Sequence, residues 1–418
     1  MLPLSHFPGS EAHLARLRTH WRRPDGSLAT LFVGADCTDP TPLIADLGDT
    51  APFLAAIGDA PAALAMARAA DTHLVNGLFP SGRTTLLFDN HDLVLGWLDL
   101  YEQTGERWLL DRATTALERI ARTFAVRGAL VDSTGPLGIH SLRASPFNGG
   151  YIETAVDLHR LTGRPEPLAW AKTWARALVR SPWFVAHGMF SRFSTPRVPM
   201  LGTLLGRASR VGPVRVFKDN TNCAWGLLSL HAFEPDAEWS GAIRRLLVAL
   251  EAEFNRCGHM PLYPGRPSRF DLAAHVFLVD LLVDIAAAGI DADRATSLAL
   301  GLVDVVERHR WPNGLVPAHE GCERDHLDIM TDYGIALCRL GAWTGDASLR
   351  TRALEGWAQT WATHATADGL VLGVSLDGAV RDARIIVKYQ FLAVKSLLGA
   401  ASPNLLEDEA AMRLVRDR

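Results

Sequence analysis

The chain has 418 residues, 48% of them hydrophobic and 21% charged, with a formal net charge of -4. That composition excludes a disordered polyelectrolyte and supplies no global charge for a nucleic-acid partner, and no run is long and apolar enough for a membrane span. Five scattered cysteines, Cys37, Cys223, Cys257, Cys322 and Cys338, argue against a disulfide framework and suit a reducing cytoplasm; the opening MLPLSHFPGSEAHLARLRTHWRRPDG lacks a basic region followed by an apolar one, so no secretory leader is expected.

Residues 1–40 read as an N-terminal helix and lead-in segment of a single domain over 1–418, a length that a ring of helices can carry on one core. Helical pairs then follow in order. The first members fall near 43–57, 88–104, 148–162, 220–233, 270–288, 326–343 and 384–399, and the second near 60–74, 106–125, 166–180, 237–255, 292–309, 347–364 and 403–416. Self-similarity supports the pairing. LYEQTGE, LHRLTGR and LGAWTGD close first members alike, with glycine where a helix ends in a left-handed turn. FDNHDLVLGWLDL (88–100) aligns with KDNTNCAWGLLSL (218–230), matching Asp89 to Asp219, Asn90 to Asn220 and Gly96 to Gly226. Short turn-strand signals separate the pairs: NGLF at 76, RGALV at 127, HGMF at 187, CGHM at 257, NGLV at 313 and DGLV at 368.

First members are apolar nearly all round, whereas second members carry regular charges, as in ERWLLDRATTALERIARTF. All-round apolar helices are buried and amphipathic ones face solvent. The predicted fold is therefore all-α: an α/α toroid of six to seven helical hairpins, inner ring within outer ring, with short strands in the long loops. An open solenoid of hairpins is the competing architecture. Because the long connections run from outer to inner helices, the site is expected at the inner-helix N-termini, whose free N–H groups and dipoles favour anions.

A barrel of helical hairpins with inner-helix motifs such as DNHDLVLGWLDLYEQTG resembles the six-hairpin glycosidase superfamily. That superfamily includes unsaturated glucuronyl hydrolases, the N-acylglucosamine 2-epimerase group, polysaccharide lyases and helical proteins of polysaccharide biosynthesis. The resemblance covers roughly residues 40–400 and is specific for architecture rather than reaction. It implies a carbohydrate-active enzyme.

Asp89 and Asp219 open their helices as N-caps or as sugar ligands. Asp92 lies inside its helix's first turn and recurs as Asp332. In DHLDIMTDYG, Asp325, Asp328 and Asp332 share one predicted helix face, where like charges are unfavourable unless solvated or functional, and close carboxylates raise one pKa toward general-acid use. Among His91, His140, His275, His319 and His326, the first and last are flanked by these aspartates, which suits a base held in one tautomer; His275 reads as core. The expected catalytic set is thus Asp92, Asp328, Asp332, His91 and His326. Tyr333, Lys388 and Tyr389 join Asp89, Asp219 and Asn220 as binding candidates, with Lys388 either reaching the rim or pairing with a carboxylate.

The stretch 167–218 holds no Asp or Glu, and its Arg192, Arg197, Arg215 and Lys218 mark a basic loop at 181–218 that would attract an anionic, uronate-containing sugar. Cys257–His259 and His319–Cys322 lack recognised zinc spacing, so neither metal nor cofactor is expected, and no Walker, Rossmann or G-x-S-x-G motif occurs. The expected activity is acid/base chemistry on an anionic oligosaccharide by hydrolysis, elimination or epimerisation. The alternatives are a non-catalytic sugar-binding or assembly component and, third, a zinc-dependent cyclase-like toroid. Neither a membrane nor a nucleic-acid partner is expected, and the sequence leaves the oligomeric state open.

Overall fold

The computed structural model describes residues 9–44, 46–80, 85–134, 142, 144–145, 147–191, 196–198, 216–262, 269–402, 406 and 409–415, with backbone alone at 216–218, 400–401 and 409–411. These residues divide into two compact units, one of Met1–His73, Arg269–Val283 and Thr296–Asp417, the other of Leu74–Ser268 with Asp284–Ala295.

The second unit shows how the hairpins are built. Helix Phe88–Thr104 buries every residue from Leu93 to Leu100, and Asn148–Thr162 every residue from Asn148 to Leu158. Their partners bury one stripe; in Arg107–Thr123 it is Leu109, Leu110, Ala113, Ala116, Leu117 and Ile120. Those are the two burial patterns that the apolar and the charged repeats predict. Helices Pro165–Val179, Val216–Phe233 and Ala237–Cys257 continue the series. At the contact of Asn148–Thr162 with Val216–Phe233 the backbones meet: a Cβ on Gly149 would lie 1.8 Å from the Asn222 carbonyl oxygen, so glycine is required there.

The Thr-Gly repeat has a direct physical role. Thr104, Thr162 and Thr344 each donate from Oγ1 to the carbonyl four residues back, at 2.7, 2.6 and 2.8 Å. The following Gly105, Gly163 and Gly345 take φ of 72°, 69° and 73°, which satisfies orphan carbonyls at the helix end and reverses the chain.

The Asp-Asn repeat works differently from the capping expectation. The residue that ties helix to loop is the amide. Asn90 Oδ1 accepts from Phe79 N at 2.7 Å, Asn148 Oδ1 from Leu130 N at 2.8 Å, and Asn220 Oδ1 from Phe190 N at 2.7 Å. In the first unit Gln390 does the same, with Oε1 accepting from Leu370 N at 2.8 Å and Nε2 donating to Leu370 O at 2.9 Å. Each amide pins the turn-strand signal that precedes its helix by satisfying backbone groups of that segment. Asp89 is not the N-cap: the helix opens at Phe88 behind Leu87, and Asp89 sits in its first turn.

The first unit holds helices Ser10–Thr19, Ala51–Ala56, Ala60–Asp71, Leu327–Thr344, Ala347–His364, Val387–Ala401 and Glu409–Val415. Helices Leu272–Ala287 and Ala292–His309 lie mostly within it. It also contains an antiparallel sheet in the order β2 (Asp36–Pro42), β1 (Ala29–Val33), β3 (Arg384–Ile386), with Phe32 opposite both Cys37 and Ile385. The hairpin β1–β2 begins in the predicted lead-in segment and runs two residues past it, to Pro42. Strand β3 takes the residues predicted to start the last inner helix, which begins instead at Val387; the β-branched pair Ile385 and Ile386 favours the extended form that β1 pairs with. The helix predicted over 43–57 is confined to Ala51–Ala56, because Pro52 cannot donate within a helix and is accommodated only in its first turn. The short helix Pro182–His187, capped by Ser181 Oγ accepting from Phe184 N at 3.3 Å, falls in what the sequence reading treated as loop.

Candidate active site

In the first unit, the start of helix Leu327–Thr344 is fixed to the later segment 372–374. Asp325 N donates to Val374 O and Leu327 N to Leu372 O, both at 3.0 Å, while Val374 N donates to Asp325 Oδ1 at 2.8 Å. Asp325 therefore precedes the helix instead of sharing the predicted face with Asp328 and Asp332. Its other oxygen meets His364 Nε2 at 2.8 Å, and His364 Nδ1 lies 2.6 Å from Val371 O. A carbonyl cannot donate, so Nδ1 carries a hydrogen. The pair is imidazolium–carboxylate or imidazole–carboxylic acid, and both side chains are wholly buried.

This brace presents His326, Asp328 and Asp332 along the first turns. Asp328 Oδ1 is buried without a hydrogen-bond partner, and burial, reinforced by the Asp332 charge, pushes its carboxyl up to about 7. Burial also raises Asp332, against the pull of Lys395, whose Nζ donates to Asp332 Oδ1 at 3.2 Å. His326 Nδ1 is likewise buried and unpartnered; burial, with help from the Arg324 charge, lowers the imidazole to about 4, so it is neutral at pH 7. The Tyr389 ring stands edge-on to His326 at 5.4 Å, and burial followed by the Asp328 charge pushes its phenol to about 12. Lys388 pairs with both Asp46 and Asp49 at 2.7 Å. Five of the predicted residues, His326, Asp328, Asp332, Lys388 and Tyr389, thus come together with Lys395, Asp46 and Asp49, which the sequence reading passed over. The signal for Lys395 was present: it falls seven residues after Lys388 in VKYQFLAVKSLLG, which returns it to the same helix side.

Tyr333 is turned elsewhere, donating from Oη to Glu307 Oε1 at 2.5 Å beneath the Arg310 guanidinium. Further along the same helix, Arg339 forms a buried ion pair with Asp280 of helix Leu272–Ala287.

The second unit carries its own polar cluster. His91 is 2% exposed, with Nδ1 3.1 Å from Asp92 Oδ1. Its ring stands edge-on to Tyr151 at 5.4 Å in space left by Gly150, where a Cβ would lie 2.0 Å from His91 Nε2. Tyr151 Oη donates to the Leu87 carbonyl at 2.8 Å, and burial with the Asp92 and Asp89 charges raises its phenol well above its ordinary range. Phe88, 55% exposed, meets Phe147 edge-on at 4.9 Å. Asp219 is buried, and Asn220 is engaged by Phe190 as described.

Arg197 is exposed; Arg192, Arg215, His140 and the Lys218 side chain lie outside the described residues. His275 is buried with Nδ1 2.8 Å from Asp271 O, consistent with a core role. Among the described residues, neither Cys257–His259 nor His319–Cys322 gathers a third metal-ligating side chain, and no helix is long and apolar enough to cross a membrane.

No family model and no curated protein matches the sequence. Solved structures do. The chain is similar to alpha-1,2-mannosidase from Trichoderma reesei, with a TM-score of 0.67 and 13% identity over 96% of this chain and 94% of that one. D-mannose isomerase follows at 0.58 and 11%, over 94% and 96%, and cellobiose 2-epimerase from Bacillus thermoamylovorans B4167 at 0.56 and 10%, over 94% and 98%. At such identities the likeness is one of fold: the chain has the all-α, α/α toroid architecture of paired helices that the repeat pattern predicts.

Proposed function

We propose that a chain with this fold and this cluster is a sugar-processing enzyme, and that Asp328 and His326 carry proton transfer at a sugar carbonyl, as in isomerisation or epimerisation. One observation carries the reading. A carboxyl pushed to about 7, with a buried oxygen that has no partner, stands at the same helix start as a neutral imidazole with an unpartnered nitrogen. The first is a proton donor matched to neutral pH and the second a ready acceptor. Structurally similar proteins described as an isomerase and a 2-epimerase support the substrate class.

Hydrolysis is the second reading. Residues four apart on a helix bring Cβ atoms to about 5–6 Å, near the separation of carboxylates in retaining glycosidases, and a mannosidase shares the fold. It is placed second because Asp332 is engaged by Lys395, whereas a nucleophilic carboxylate must be free to attack. Four carboxylates, Asp46, Asp49, Asp328 and Asp332, face two lysines, Lys388 and Lys395, which suits a neutral, hydroxyl-rich sugar. The anionic sugar expected from the basic loop rests on residues that mostly lie outside the described set. The catalytic roles expected of His91 and Asp92 and the binding roles expected of Asp89 and Asp219 belong to this proposal as well, as does a reducing compartment, in keeping with five free cysteines.

The test is incubation in deuterated water with neutral aldoses, ketoses and disaccharides, and with uronate-containing glycans as a separate arm. NMR would read deuterium incorporation beside the carbonyl as well as released reducing ends. Asp328→Asn should lower turnover about 100- to 10,000-fold. Wild-type turnover in both Asp328→Asn and His326→Ala, on every sugar processed, would sink the proposal; sugar binding without turnover of any kind would favour the non-catalytic alternative.

A further inference from the structure

Lys395 sits in the middle of helix Val387–Ala401, 2% exposed, with Nζ 3.2 Å from Asp332 Oδ1. A buried ammonium is strongly destabilised unless an anion stands against it, so this lysine favours Asp332 as a carboxylate. Asp328 lies one turn earlier on the same helix, and two neighbouring buried carboxylates cannot both ionise without a large penalty.

The other charges facing the pair are already engaged. Asp328 is approached by Lys388 and Asp49, and Tyr389 feels its charge from the helix that bears both lysines. Lys388 pairs with Asp46 and Asp49. Asp332 is approached by Asp280 and Asp49 besides Lys395, and Asp280 is paired with Arg339.

We propose that Lys395 is a positioning residue that settles which carboxyl of the Asp328–Asp332 pair holds the proton, keeping Asp332 ionised and Asp328 the acid. The inference rests on the reading of Asp328 as proton donor, and it names the residue that makes this assignment asymmetric. Without Lys395 the two carboxyls would share one proton and titrate as a dyad. The ammonium breaks that symmetry without touching the sugar.

The experiment is a carboxyl titration with aspartate labelled with carbon-13 at the side-chain carboxyl, read by NMR in the full chain without sugar. The two signals are assigned through Asp328→Asn and Asp332→Asn. In the wild type, the Asp328 signal should titrate near neutrality while that of Asp332 stays ionised to lower pH. In Lys395→Met, the Asp332 titration should rise by about one pH unit or more, merging toward that of Asp328. Lys395→Arg should restore the wild-type order. An Asp332 titration unmoved in Lys395→Met would overturn the proposal.

If Lys395→Met loses cooperative melting, Asp332→Asn provides the second measurement. With Asp332 neutral, Asp328 loses the neighbouring negative charge that Lys395 maintains, and its titration should fall by about one unit; an unmoved Asp328 signal, showing that Asp332 carried no charge, overturns the proposal equally. Because no sugar is present, the outcomes separate. The expected titrations without turnover on any sugar count against the proposed function alone, and turnover with unmoved titrations counts against Lys395 alone. Given turnover, the basic limb of the kcat profile should shift upward in Lys395→Met with little change in KM, which a purely structural role for the lysine would not produce.

Discussion

Asp328→Asn should stabilise the fold above neutrality while removing activity. The Asp328 carboxyl is pushed from 3.8 to about 7, and at ~1.4 kcal/mol per pH unit its ionised form costs the fold about 4 kcal/mol at most, since Asp332 shares the penalty. Between the two values the folded chain binds more protons than the unfolded one, so wild-type stability falls as pH rises through this window. Asparagine has no such dependence. The variant should match the wild type near pH 4 and gain progressively up to pH 8. With an unfolding entropy of ~2.1 cal/mol/K per residue, the full effect over a chain of 418 residues is about 5 °C in Tm. Thermal melts of both proteins at pH 4, 6 and 8, followed by circular dichroism, measure it. A Tm difference that stays constant across that range would refute the reasoning, because a loss or gain of packing alone carries no proton.

Gln390→Leu removes the bonds to Leu370 N and O and leaves both groups buried; a loss of about 2–5 kcal/mol is expected, with the Leu370 amide exchanging hydrogen far faster than its neighbours. Gly150→Ala forces a methyl to 2.0 Å from His91 Nε2, which should destabilise by about 1–3 kcal/mol and release His91 from Asp92, visible as a change in its imidazole nitrogen shifts. Gly241→Ala is the control: nothing lies within 4 Å of its Cβ, and helix propensity should make it more stable by about 0.5–1 kcal/mol.

The hairpin series was legible in the sequence because its signals are local. Whether a helix is apolar all round or along one stripe follows from the order of residues, and a Thr-Gly ending stops a helix through bonds within its own last turn, as Thr104 and Gly105 do. The repeat of Asp89-Asn90 as Asp219-Asn220 was equally visible, yet its meaning was not. Which of two adjacent polar residues pins the preceding loop depends on where that loop returns, and Phe79 and Phe190 return to the amides.

The candidate site divides along the same line. The acidic pattern of Asp328 and Asp332 could be read directly, since residues four apart always share a helix side. That Asp325 turns away to brace His364, that Tyr333 bonds Glu307 and that Lys395 reaches Asp332 are contacts between segments 26 to 63 residues apart. Sequence by itself determined which groups can titrate and on which helix they stand. Only the tertiary structure decided which of them lose water and which meet a counter-charge, because desolvation and ion pairing depend on neighbours that the fold, not the chain order, brings near.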